Sequence, residues 1–179
     1  MRPEVTTRPA RLTRRRLIGV SLGAGAGLVL GLPALAQQAS TPDSAPFSQI
    51  TATEAWEGAK SGEIILVDIR TPEEWLETGI GEGAIPLDMR ADDFVKKLVA
   101  LRVANRDTPI AFICRTGNRS QFVTSALAGQ GFPGLLDVAE GMVGGPRGKG
   151  WIPTGLPVYA GTPENVAARL EEAMPKPEE

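Results

Sequence analysis

The chain has 179 residues, 42% of them hydrophobic, with a formal net charge of −2, no histidine and one cysteine. That length allows one domain with a real core plus tails. Without histidine there is no Ser-His-Asp triad, no Cys-His dyad and no imidazole metal ligand. A lone cysteine excludes an internal disulfide and a cysteine-rich metal site, so neither a metal nor a cofactor is expected. Charge is uneven along the chain. Residues 1–36 hold six arginines against one acid, Glu4, which leaves the remainder acidic and without a basic face for nucleic acid.

The N-terminus reads as an address. Arg14, Arg15 and Arg16 precede an apolar run from Leu17 to Leu32, then Pro33 and the small-x-small pattern Ala34-Leu35-Ala36. The stretch Thr13-Arg14-Arg15-Arg16-Leu17-Ile18 resembles a twin-arginine export signal, which implies cleavage near Ala36, a periplasmic mature protein and no stable membrane anchor after cleavage. Residues 37–46, rich in Ser, Thr, Pro and Ala, read as a flexible linker.

The body alternates strands and helices. Phe47 to Ile50 reads as a short edge strand. Thr51 to Glu54 is a capping box opening a helix to about Lys60. Ile64 to Ile69 is a continuous apolar run with one acid, Asp68, near its end, as in a central parallel strand. Thr71-Pro72-Glu73-Glu74 is a second capping box with proline at the first helical position. A short strand is expected over Ala84 to Leu87 and a helix over Ala91 to Ala104, with Phe94, Leu98 and Leu101 on one face. Pro109 to Ile113, Ser120 to Ala128 and Leu135 to Val138 read as strand, helix and strand. Gly141 to Gly150 reads as a glycine-rich surface loop in preference to a flank of the pocket, Trp151 to Tyr159 as an extended, proline-interrupted segment, and Thr162 to Met174 as a last helix before a charged tail. The alternation implies a parallel sheet with helices on both faces, whose ligands sit beyond the carboxyl ends of the strands.

Cys114 lies at such an end. Ile110 to Ile113 is followed by Cys114, then Arg115, Thr116, Gly117, Asn118 and Arg119, and Ser120 opens an apolar-periodic segment through Phe122, Ala126 and Leu127. A thiol is nucleophilic as its thiolate, which nearby positive charge and helix N-termini favour. Loop amides, the helix dipole and two arginines all supply such charge here. A buried structural cysteine is the plainer reading. Two arginines and a glycine directly after the thiol argue against it. The spacing from Cys114 to Arg119 is C-x4-R, one residue shorter than the C-x5-R loop that wraps a phosphoryl group, and the smaller cradle suits a terminal sulfur. Phosphatase or arsenate-reductase chemistry is disfavoured by that length and by the single cysteine.

The run Cys114-Arg115-Thr116-Gly117-Asn118-Arg119-Ser120 resembles the active-site loop of the rhodanese superfamily, the single-domain sulfurtransferases. Two further stretches carry the likeness, in the right order: Leu66 to Trp75 resembles the family's strand-then-helix signature, and Gly83 to Leu87 the segment that follows it. The family often has a histidine near Gly79 to Ala84; this chain has none there, which leaves the loop untouched. The similarity runs from about Ile50 to Tyr159 and implies a rhodanese-like α/β fold. The chain then divides into a signal peptide at 1–36, a linker at 37–46, a rhodanese domain at 47–161, and a C-terminal helix and charged tail at 162–179.

The resemblance implies a role for each residue. Cys114 carries a persulfide. Arg115 points outward and holds an anionic donor such as thiosulfate. The amides of Thr116 to Arg119 stabilise the sulfur anion, and Gly117 permits the backbone angle. Arg119 turns inward to pair with Asp68, as a structural salt bridge or as part of the site. Arg70 supports it from the same strand end, and Ser120 is a helix cap first and a site residue second. Trp75 and Trp151 read as packing residues; Glu73, Glu74, Glu77 and Glu82 as a solvated face or cap carboxylates. The implied activity moves sulfane sulfur from thiosulfate or a persulfide donor to an external thiol or cyanide. The alternative is a sulfur carrier or interaction module serving an exported partner, with little turnover alone.

Overall fold

A computed structural model describes residues 47–174. The segments read as signal peptide and linker, and the end of the tail at 175–179, lie outside the described residues. In chain order the elements are β1 (Ser48–Ile50), α1 (Ala52–Ser61), β2 (Ile65–Asp68), α2 (Pro72–Thr78), β3 (Ile80–Gly81), β4 (Ile85–Pro86), α3 (Phe94–Ala104), β5 (Ile110–Ile113), α4 (Asn118–Gly129), β6 (Leu135–Val138), α5 (Trp151–Thr154), β7 (Val158–Tyr159) and α6 (Pro163–Ala173).

Five of the strands form one parallel sheet in the order β1-β6-β5-β2-β4. The central strand, β5, is buried along its whole length, which is why Ile110 to Ile113 is apolar without alternation. Side chains of successive residues then feed opposite faces. Val67, Ile69, Phe112 and Cys114 pack with Phe94, Leu98 and Leu101 of α3 and with Val123 of α4. Leu66, Ala111, Ile113 and Val138 pack on the other face with Ala52 and Ala55 of α1, Trp75 of α2 and Trp151 of α5. The result is an α/β sheet covered by helices on both faces. The last helix also joins the core: Leu170 and Ala173 pack against the first of these clusters, and Arg169 donates to the carbonyls of Gly83 (2.9 Å) and Ala84 (3.4 Å).

Both capping boxes form. The Thr51 hydroxyl accepts from the Glu54 amide at 3.2 Å while the Glu54 carboxylate accepts from the Thr51 amide at 2.7 Å; Thr71 and Glu74 repeat the pattern at α2. Three expectations need correction. Helix α3 begins at Phe94 rather than Ala91. Phe122, placed on the apolar stripe of α4, is 68% exposed; the buried face of that helix is Ser120, Val123 and Thr124. The segment 151–159 is not simply extended. It forms one helical turn, α5, and then β7, which pairs antiparallel with β3. Trp151 organises this corner. Its ring packs against Gly81, where a Cβ would come within 2.9 Å of it, and its indole N–H donates to the Pro157 carbonyl at 2.9 Å.

Trp151 is fully buried, so Trp151→Ala removes a large ring and one hydrogen bond. The expected cost is about 3–5 kcal/mol. Urea denaturation of the two proteins measures it as a lower midpoint.

Candidate active site

The parallel register brings three strand ends to one edge. Asp68, which ends β2, lies beside Ile113, and Phe112 lies beside Asp137 of β6. Cys114 follows at once and is wholly buried, on the sheet face shared by Phe112 and α3. The chain turns through Gly117, whose φ of 84° is left-handed, and enters α4 at Asn118. No side chain fits at Gly117: a Cβ there would run into the Ala139 carbonyl oxygen and come within 2.5 Å of Arg147 Nη2.

The loop's backbone is held from outside through its carbonyls. The Met142 amide donates to the Cys114 carbonyl at 2.8 Å, and the Val143 amide to the Arg115 carbonyl at 2.9 Å. Its own amides are left over. Among the described residues, no protein acceptor takes the N–H groups of residues 115–119. The next amide, that of Ser120, donates to Cys114 Sγ at 3.4 Å. A row of unpaired amides that ends on a sulfur, at the start of a twelve-residue helix, offers the donors that an anion needs.

The charged residues fall differently from the sequence expectation. Asp68 does not pair with Arg119. Its carboxylate takes Arg70, from Nε at 3.0 Å and from Nη2 at 2.7 Å, and both side chains are buried. Arg70 spends its remaining donors on Thr78 Oγ1 (2.7 Å) and on the Glu74 and Gly79 carbonyls (3.4 and 2.7 Å), so it ties the end of β2 to the C-terminal turn of α2. Arg119 instead reaches Glu74, with two hydrogen bonds of 2.8 and 2.5 Å. The reason is reach and geometry: Arg70 saturates Asp68 locally, and Glu74, whose Oε2 also takes the Thr71 amide, offers both oxygens to a bidentate guanidinium. Burial opposes ionisation of Glu74. The Arg119 hydrogen bonds, the Thr71 amide and the charge of Arg70 outweigh it and hold the carboxyl at about 2. Glu74 therefore belongs to the site's support as well as to the cap.

Arg115 is exposed at the rim, where Nη1 lies 3.3 Å from Glu77 Oε2. Thr116 is half-buried and Asn118 exposed. Ser120 is not the helix cap; it sits in the first turn of α4, buried, with its hydroxyl donating to the Gly117 carbonyl at 3.0 Å and standing 3.6 Å from Sγ. The glycine-rich 141–150 stretch is more than a surface loop. Besides the amides of Met142 and Val143, it contributes Gly141, against which the Arg115 carbonyl and the Gly117 amide pack too closely for a side chain. Sequence reasoning weighed a flank of the pocket and preferred the surface loop. The signal was the density of glycine itself, because two irregular backbones can touch only where side chains are absent.

The Rhodanese-like domain profile matches residues 51–145. The chain belongs to the rhodanese-like family. It is 31% identical over 104 residues to a protein of Allochromatium vinosum named sulfurtransferase, an overlap of 57% of this chain and 84% of the other. It is 29% identical over 96 residues to the thiosulfate sulfurtransferase GlpE of Coxiella burnetii, covering 53% and 83%. An uncharacterised protein of Rickettsia prowazekii is 32% identical over 98 residues, covering 51% and 80%.

The Glu74–Arg119 pair gives this rhodanese domain a defined acid response. The folded carboxyl lies below its unfolded value of 4.5, so the stabilisation is fully present above that pH and is lost as pH falls toward about 2. Thermal melts of the wild type and Glu74→Gln should differ by about 1 kcal/mol near neutrality, the pair being partly screened by solvent, and converge across that window. A gap that stays constant down to the acid end would remove the pair from the account.

Proposed function

We propose that this protein is an exported sulfurtransferase that moves sulfane sulfur through a persulfide on Cys114. The observation that carries the reading is the row of unpaired loop amides leading to the Ser120 N–H on Sγ. Such donors stabilise a sulfur anion, and among the described residues they have no protein acceptor. The names of the relatives in Allochromatium vinosum and Coxiella burnetii support the same reaction class.

The steps follow from the donors. The Cys114 thiolate attacks the outer sulfur of thiosulfate. A new S–S bond forms, the old one breaks, and sulfite leaves with the electron pair. The terminal persulfide sulfur takes over the amide contacts. Arg115, exposed beside the loop, holds the sulfonate end of the donor. Arg119 is committed to Glu74 and keeps the helix start in place. With one cysteine in the chain, the persulfide cannot be resolved internally, so an external thiolate or cyanide attacks the terminal sulfur and releases Cys114.

Intact-mass measurement after thiosulfate treatment should show a gain of one sulfur on the wild type, none on Cys114→Ser, and removal of the gain by cyanide with thiocyanate formed. Loss of the Arg115 charge should weaken use of thiosulfate by about tenfold and leave delivery from a preformed persulfide to a thiol within about twofold. An adduct formed with a persulfide donor but not with thiosulfate would make the protein a sulfur carrier rather than a thiosulfate enzyme. No adduct with either would overturn the reaction.

Export rests on Arg14 to Arg16, the apolar run and Ala34-Leu35-Ala36. N-terminal sequencing of the periplasmic protein should find a start near Gln37, and replacing Arg14 and Arg15 by Lys should block its appearance there. A full-length cytoplasmic product would refute export; export unaffected by the substitutions would refute the twin-arginine route.

A further inference from the structure

Between α2 and α6 runs an apolar groove of about 430 Å³ that the reaction above does not use. Trp75 and Leu76 of α2 line one side, and Val166, Ala167 and Leu170 of α6 the other. Leu76 is 66% exposed, although its neighbour Trp75 is buried. The spacing of the two helices is fixed by close packing. Gly161, just ahead of α6, lies so near the Trp75 backbone that a Cβ there would run into the Trp75 carbonyl. Of the described residues that line the groove, Glu73 alone is charged. Exposed Glu164 and Glu171 on α6 are each next in sequence to a residue that lines it. None of these acids has an ion-pair partner among the described residues, whereas Arg115 and Arg169 are taken by Glu77 and Glu172. Arg90 is near enough for its charge to act on Glu73.

The groove also leads to the sulfur. α2 has seven residues; Trp75 and Leu76 line the groove, while Glu74 and Glu77 hold the loop. Glu74 binds Arg119, and Glu77, next to Leu76, stands 3.3 Å from Arg115 at the rim. A molecule seated on Leu76 therefore stands beside the loop. Cys114 is wholly buried and has no second cysteine to receive its sulfur, so delivery depends on an external thiol brought to that rim. An apolar cleft between two helices accepts the apolar face of a third. An acidic border selects lysine and arginine along the flanks of that helix and repels an acidic surface, anionic lipid included.

We propose that the α2–α6 groove is the docking site of a protein that collects sulfur from Cys114, and that this partner enters it with an apolar helix face flanked by lysine or arginine. The inference rests on the sulfur-transfer reading and makes the acceptor a protein cysteine rather than a small thiol. The partner's thiolate attacks the terminal sulfur of the Cys114 persulfide. A new S–S bond forms on the partner, the old one breaks, and Cys114 leaves as the thiolate.

The probes are two synthetic amphipathic helical peptides with the same leucine face, one flanked by lysines and one by glutamates, each ending in a reduced cysteine. By calorimetry at low salt, the lysine peptide should bind at least about tenfold more tightly than the glutamate peptide, with the advantage shrinking as salt rises. Leu76→Gln, at an exposed position, should weaken that binding about tenfold, while Val99→Gln, in the separate groove between α3 and α4, should change it by less than about twofold. With Cys114 loaded from a persulfide donor, the lysine peptide should take the sulfur with a KM about tenfold below that of free cysteine; Leu76→Gln should erase that advantage and leave transfer to free cysteine within about twofold. Equal binding of the two peptides, no binding of either, or equal losses at Leu76→Gln and Val99→Gln would overturn the docking site. Binding without a KM advantage would overturn its part in sulfur transfer. A dimer in sedimentation that Leu76→Gln dissolves would overturn the partner in favour of a second copy of this chain. Peptide binding as expected on a protein that takes up no sulfur would instead overturn the sulfur-transfer reading and leave the groove a docking site for a basic helix.

Discussion

The structure depends on a short turn whose amides find no acceptor among the described residues. Residues 115–119 leave β5 and enter α4 with their N–H groups unpaired there, and buried or half-buried amides in that state are costly. The surrounding chain is arranged to hold the turn in that condition. Met142 and Val143 grip its carbonyls, Gly141 and Gly117 allow the two backbones to touch, and Arg119 anchors the helix start to Glu74. On the proposed function, a sulfur anion at Cys114 would accept from what is left over.

The sheet explains why so small a turn can be placed so firmly. β5 is the middle strand of five and is paired along its length on both sides, so the residue that follows it inherits the position of the most buried element. The Asp68–Arg70 pair then fixes α2 relative to the end of β2. Glu74, near the start of that helix, meets Arg119 from the opposite face. Two ionic contacts in series thus tie β2, α2 and α4 together around the carboxyl edge. They act in the placement of the loop and not in contact with the sulfur.

Much of this was legible in the sequence, for physical reasons that differ from element to element. The uninterrupted apolar run of β5 and the capping boxes at Thr51 and Thr71 are local signals, and the elements they predict form where expected. The partner of Arg119 was not legible. Asp68 and Glu74 are both acids near the end of one strand, and choosing between them requires knowing that Arg70 folds back over two residues to occupy the first. The two-residue strand β3 and its pairing with β7 carry no periodicity, because their association is set by Trp151 lying on Gly81. The buried Asp137 was invisible for a similar reason: its partner, Arg147, sits on a glycine-bounded turn whose path the sequence does not dictate.

The central claim is that the unpaired amides of the turn are the binding site for a transferred sulfur. A crystal structure of the thiosulfate-treated protein tests it directly. One extra sulfur should be bonded to Cys114 Sγ, with at least two amides of residues 115–119 within about 3.6 Å of it. An added sulfur that points away from those amides, or thiosulfate bound elsewhere with Cys114 unmodified, would contradict it.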